Sequence, residues 1–237
     1  MTLMNQVMDK MEVKRLPKKK TKETEETLVL PPHYTLIAAD LSLKRPGFCV
    51  LNVAQREDGA FIEEMILWSV DNKTKTKPRG QLLKENASAF ATLLASAKYP
   101  IFLVREQCIN NCGGKFGASS TAARTGISAV VGVMDLMSWT HGELVWHEYY
   151  PLTIKKLLTG NGKADKTEVA NSVMQYLKGA TFKNDDESDA AAVAIAWLIK
   201  NGQIKQITQE DTPSERTEES TCPGDGRSAG ECAAQAA

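Results

Sequence analysis

The chain has 237 residues, 42% of them hydrophobic and 24% charged, and its formal net charge is zero. That is enough for one domain with a full core plus tails, and no apolar run approaches the ~20 residues that span a bilayer. With no signal-peptide pattern at the N-terminus and an odd count of five cysteines, a reducing cytoplasm is the expected compartment and no membrane partner is expected.

Along the chain the charge is uneven. Residues 1–33 hold seven basic and five acidic residues, including the cluster Lys14-Arg15-Leu16-Pro17-Lys18-Lys19-Lys20. This segment reads as a flexible tail, either simply solvated or an auxiliary phosphate-binding arm. Strands are expected at 34–40, 47–54 and 61–69. The short turn Lys44-Arg45-Pro46-Gly47 makes the first two a hairpin, hence antiparallel. Residues 71–79 are polar and form a loop, followed by a helix over 80–97 and a strand over 100–106. A helix over 118–139 has apolar residues on more than one face, from Ile127 to Trp139. Such a helix is either sandwiched in the domain or shared between the sheet and a partner subunit. A strand at 144–149 precedes helices at 151–158, 164–178 and 187–200. Residues 207–237 are polar, acidic and without periodicity, and are expected to be disordered. The fold expected for 34–206 is α/β, a mixed five-stranded sheet flanked by helices on both faces.

Four acids stand at the ends of these elements. Asp40 ends the first strand, Glu106 ends the fourth, and Asp186 and Asp189 open the last helix at a spacing of i, i+3. One acid at a strand end carries little meaning, and acids at a helix start complement its dipole. Four that converge at one sheet edge form an oxygen-only cluster suited to hard divalent cations, Mg²⁺ above all. Such cations drive phosphodiester hydrolysis. Other chemistries find little support. His33, His141 and His147 have no ligand spacing, Cys108 and Cys112 have no second pair, and there is no Gly-x-Ser-x-Gly elbow. Gly160-Asn161-Gly162-Lys163 is not a Walker A loop.

The order of these features resembles the RuvC-type Holliday junction resolvases of the ribonuclease H-like group. The matching blocks are Ile37-Ala-Ala-Asp40-Leu-Ser-Leu-Lys-Arg-Pro-Gly47, Val104-Arg-Glu106-Gln107, Gly160-Asn-Gly162-Lys-Ala-Asp-Lys166 and Asp186-x-x-Asp189-Ala. Ala38-Ala39 stands where Gly-Ile or Gly-Leu is usual, and Cys108-Ile109 follows where the family has an aromatic. Both tails lie outside the resemblance, and such additions suggest a divergent, phage-borne member. The resemblance implies a ribonuclease H-like fold and a homodimer that cuts four-way junctions by paired nicks. It implies two Mg²⁺ ions per site, with Mn²⁺ able to substitute, held by Asp40, Glu106, Asp186 and Asp189. Lys166 would assist catalysis, and Lys155 and Lys163 would meet phosphates. After Glu106, the polar segment 109–124 holds Lys115, Phe116 and Arg124. Phe116 is the aromatic available there to stack a base at the branch point, the two cations being placed for nearby phosphates. The rivals are a nuclease with a broader taste for flaps and forks, a non-catalytic DNA-binding protein, and a phosphotransfer enzyme of the actin-like superfamily.

Overall fold

The computed structural model describes residues 29–70, 77–108 and 121–207. The sequence expectations for the tails and for Lys115 and Phe116 lie outside the described residues. Five strands form one sheet: β1 His33–Asp40, β2 Gly47–Arg56, β3 Gly59–Ser69, β4 Ile101–Glu106 and β5 Trp146–Tyr149. Their order across it is β3-β2-β1-β4-β5. β1 pairs antiparallel with β2 and parallel with β4, and β4 pairs parallel with β5. The sheet is therefore mixed, as the short first turn and the later alternation require. Five helices complete the described fold: α1 Arg79–Ser96, α2 Thr121–Gly142, α3 Pro151–Thr159, α4 Lys166–Tyr176 and α5 Asp185–Lys200.

The two-residue alternation of β1 assigns its side chains to two cores. Tyr34, Leu36 and Ala38 join Val104, Tyr149 and the buried faces of α3, α4 and α5. Ile37 and Ala39 join Phe48, Leu103, Phe90 of α1 and Met134 of α2. Helices thus cover both faces. In α5 every residue from Ala190 to Leu198 is buried. Its run of alanines brings the helix backbone close to the central strands. The closest approach is at Gly47, where a Cβ would stand 1.9 Å from the carbonyl oxygen of Asp186. Only glycine allows the start of α5 to rest on the start of β2.

Several boundaries differ from the sequence expectation for local reasons. The β2–β3 hairpin is longer because Gly59, at φ +127°, closes a tight turn. α4 starts at Lys166 rather than 164 because Asp165 is an N-cap, with Glu168 completing a capping box. α5 starts at Asp185, two residues early, because the Asn184 side chain accepts from the Glu187 amide. Both Asp186 and Asp189 thereby fall at its beginning. Within the chain, α2 buries one side of its apolar surface and leaves another open. Val130 and Met134 are buried and Met137 packs against the same core, while Leu136 and Trp139 are 65% and 57% exposed. Met137 thus belongs to the inner side of α2.

Candidate active site

Parity places the strand-end acids together. Asp40 shares the face of Ala38, and Glu106 shares that of Val104, the face covered by α3, α4 and α5. The parallel register pairs Ala39 with Arg105, so Asp40 and Glu106 follow side by side at the C-terminal edge of the two central strands. They open into a cleft of about 240 Å³ whose wall also holds Asp189, Lys155 and Lys166. Pro151, Ile154, Val169 and Ala192 supply its apolar lining.

The cleft holds more negative charge than its lysines offset. Burial pushes the Asp40 carboxyl up to about 6, helped by the charges of Asp189 and Asp186 and opposed by Lys166. Burial likewise pushes Glu106 up to about 7, aided by Asp40 and Asp189 and opposed by Lys155 and Lys166. Two acids held near neutrality by their surroundings are a mark of a functional site.

The other expected site residues fall into distinct positions. Asp189 lines the cleft, with Lys166 Nζ 3.4 Å from its Oδ2. Lys166 also lies 4.0 Å from Asp185, and the charge of Asp189 raises its pKa. A cation at the start of a helix opposes its dipole, and the carboxylates of α5 offset that at Lys166. Lys155 Nζ donates to the Ala164 carbonyl at 2.6 Å, which fixes the lysine across the α3–α4 turn. Asp186 does not line the cleft with the other three. It stands beside it, 3.7 Å from Arg45 Nε, and its carboxyl is raised by burial against the opposing pull of Arg45. Lys163 is exposed on the turn and Arg124 is exposed near the start of α2, neither lining the cleft. Among the described residues no three His, Cys, Asp or Glu side chains stand close enough to hold a metal ion in their present positions.

Sequence reasoning missed four residues that build this site. Gly47 was legible as a motif glycine, but its contact with Asp186 was not. Glu187 is 1% exposed and accepts from Ser69 Oγ at 2.9 Å and from the Lys183 amide at 3.0 Å. It anchors the start of α5 to β3. Arg45 was legible only as a turn residue and Asn86 gave no signal, because each meets its partner through an element distant in sequence.

The fold and the cleft together define a class, a ribonuclease H-like domain with a carboxylate cleft at the sheet's C-terminal edge. Similarity to known proteins narrows the class. The family described as crossover junction endodeoxyribonuclease RuvC matches residues 116–197, which include Lys166, Asp186 and Asp189. A RuvC from Rhodopseudomonas palustris (strain TIE-1) is 30% identical over 172 residues, 73% of this chain and 91% of that protein. One from Synechococcus sp. (strain WH7803) is 29% identical over 165 residues, covering 69% of this chain and 97% of the relative. In fold, the chain is similar to Thermus thermophilus RuvC solved with a Holliday junction substrate. The TM-score is 0.55 at 18% identity, over 69% of this chain and 92% of the other. The chain belongs to the RuvC family, and as a member it is an endodeoxyribonuclease.

Proposed function

We propose that this chain is a Mg²⁺-dependent, structure-selective endonuclease that resolves four-way DNA junctions by paired symmetric nicks, acting in the cytoplasm. The observation that carries the reading is the cleft in which Asp40, Glu106 and Asp189 gather with Lys155 and Lys166 at the edge of the sheet. Family membership supports it, since the relatives are named for crossover junctions.

The donor set fits a hard divalent cation. Asp40, Glu106 and Asp189 offer oxygen alone, and the burial and like-charge repulsion that raise Asp40 and Glu106 are what a cation offsets. These three, with Asp186 beside them, would hold two ions, and Mn²⁺ would substitute for Mg²⁺. Bound there, the ions would lower the pKa of the attacking water and offset charge building on the phosphate. The chain's own side chains supply the rest. Lys155, fixed by the Ala164 carbonyl, directs positive charge at a phosphate entering the cleft. Lys166 is 74% exposed and free to pass from Asp189 to a phosphate oxygen. Ile154, Val169 and Ala192 keep bulk water from the inner wall. Lys163 and Arg124 would meet phosphates further along the strands. Lys115 and Phe116 complete the proposed DNA contacts from outside the described residues. The pairing of nicks calls for two copies, and the exposed Leu136, Trp139 and Val145 give an apolar surface for the second.

The test is cleavage of labelled junction, fork and duplex DNA with and without Mg²⁺, beside an Asp189→Asn variant. Junction nicking that needs Mg²⁺ and is lost in Asp189→Asn, with binding kept, is the expected result. Equal cutting of forks would transfer the chain to the broader branched-DNA reading, and cutting that survives Asp189→Asn would remove the cleft from the chemistry.

A further inference from the structure

The loop between β1 and β2, Leu41 to Pro46, starts one residue after Asp40 and is held far more firmly than a hairpin turn requires. The Asn86 side chain, wholly buried on α1, donates its Nδ2 to the Ser42 carbonyl at 3.3 Å and to the Leu43 carbonyl at 3.1 Å. Leu43 packs over Gly126 of α2, where an added Cβ would come within 3.2 Å of its Cδ2. Ser42 Oγ accepts from the Arg45 amide at 2.9 Å, and the Pro46 carbonyl accepts from the Val70 amide at 3.1 Å. Two helices and the residue that follows β3 therefore fix a loop whose most exposed residues are Lys44 and Arg45.

Arg45 is 52% exposed and is paired, at 3.7 Å, with Asp186 at the flank of the acidic cleft. A half-exposed pair of this kind contributes little to stability. It does not account for a buried amide committed to two loop carbonyls. The placement is better explained by a ligand. Each DNA strand carries a phosphate about every 3.4 Å along the axis, so a strand with one phosphate over Asp40 brings a neighbouring one to the loop. A guanidinium there presents a planar fork matched to phosphate oxygens.

We infer that the β1–β2 loop is a rigid phosphate-binding finger, in which Arg45 contacts the DNA backbone beside the cleft and Asn86 is the positioning residue that holds it there. The inference rests on the junction-nuclease reading and adds a contact to it. When no DNA is bound, Asp186 holds the arginine at the flank, so the finger is preorganised for the strand.

The experiment is junction binding by fluorescence anisotropy in EDTA, over a series of NaCl concentrations, for the full chain and for Arg45→Ala, Arg45→Lys, Asn86→Ala and Arg45→Ala/Asn86→Ala. Losing one phosphate contact should reduce the slope of log affinity against log salt by about 1. Arg45→Ala should show that reduction and Arg45→Lys should restore the slope. Asn86→Ala should weaken binding alone yet add nothing to Arg45→Ala, whereas a merely structural role would weaken both backgrounds alike. If Asn86→Ala fails to fold by circular dichroism, Leu43→Ala, which frees the loop at its other anchor, must show the same non-additivity. A wild-type slope in Arg45→Ala overturns the finger while the steep salt dependence of the wild type still supports a DNA enzyme. Junction binding by the wild type with no salt dependence overturns both.

Discussion

Adjacent residues on β4 meet opposite fates. Arg105 points to the face covered by α1 and α2, where it is 6% exposed and lies 2.6 Å from both Asp135 and Glu148, over the ring of Trp146. Its two acids more than match its charge, and burial is offset by hydrogen bonds from three of its nitrogens. Glu106 points to the other face and meets Asp40 and Asp189, acids like itself. One strand thus carries a charge whose partners come from its own chain and another whose partners must come from outside. A buried charge that the fold already satisfies marks structure; an excess of one sign marks a place prepared for a ligand.

The comparison breaks if Arg105 proves dispensable for folding. Arg105→Ala removes three hydrogen bonds to Asp135 and Glu148 and the packing over Trp146, but the two acids are 49% and 36% exposed, so the cost should be about 1–3 kcal/mol. A fall in melting temperature of roughly 3–10 °C, by calorimetry, is the expected outcome. Unchanged stability would show that these charges are solvated rather than structural.

On the opposite face the same kind of change should spare the fold and remove the chemistry. Asp40→Asn keeps the shape and relieves repulsion, so the variant should melt no lower than the wild type and bind junctions at least as well. Nicking should fall roughly 10²–10³-fold, the scale of losing one preorganised charge at a transition state. A variant that is both unstable and inactive would place Asp40 with Arg105 as a structural residue.

Lys166→Ala sharpens the contrast within the cleft. It removes a cation that the carboxylates hold, and so should slow single-turnover nicking about 10-fold or more while junction affinity changes little. An affinity loss with an intact chemical step would make Lys166 an ordinary phosphate contact.

The smallest effect is on stability against pH. The folded carboxyls of Asp40 and Glu106 sit at about 6 and 7, above their ordinary values of 3.8 and 4.5. Between roughly pH 4 and 7 the folded state therefore binds more protons than the unfolded one, and stability falls as pH rises through that window. Without divalent metal, the melting temperature should be a few degrees higher at pH 5.5 than at pH 8, about 2–6 °C. Glu106→Gln should flatten the trend, and saturating Mg²⁺ should lift the pH 8 value. A pH profile identical in wild type and Glu106→Gln would mean that the cleft does not strain its acids.

Much of this was legible without coordinates. The hairpin of β1 and β2 followed from Lys44-Arg45-Pro46-Gly47, and the five strands from apolar runs of the right length between turn residues. Asp40 and Glu106 could be seen to end strands, and Asp189 to lie near a helix start, because those are statements about local sequence. The helix limits were shifted by caps, as at Asp165 and Asn184, whose side chains satisfy amides that periodicity ignores. Asp186 was grouped with the other acids by its i, i+3 spacing from Asp189 and by the family pattern, and the fold sets it beside the cleft, 3.7 Å from Arg45.

By itself, then, the sequence determined which segments alternate, which acids end them and which family pattern they follow, since each of these is set within a few neighbouring residues. The tertiary structure decided who meets whom. It set Arg105 between Asp135 and Glu148, pressed Gly47 against the carbonyl of Asp186, buried Glu187 under β3 and gave Asn86 the loop carbonyls to hold. Those contacts join residues 30 to more than 100 positions apart. A charge, a glycine or an amide reads the same in the sequence whether or not such a partner exists, and only packing of the helices onto the sheet supplies one.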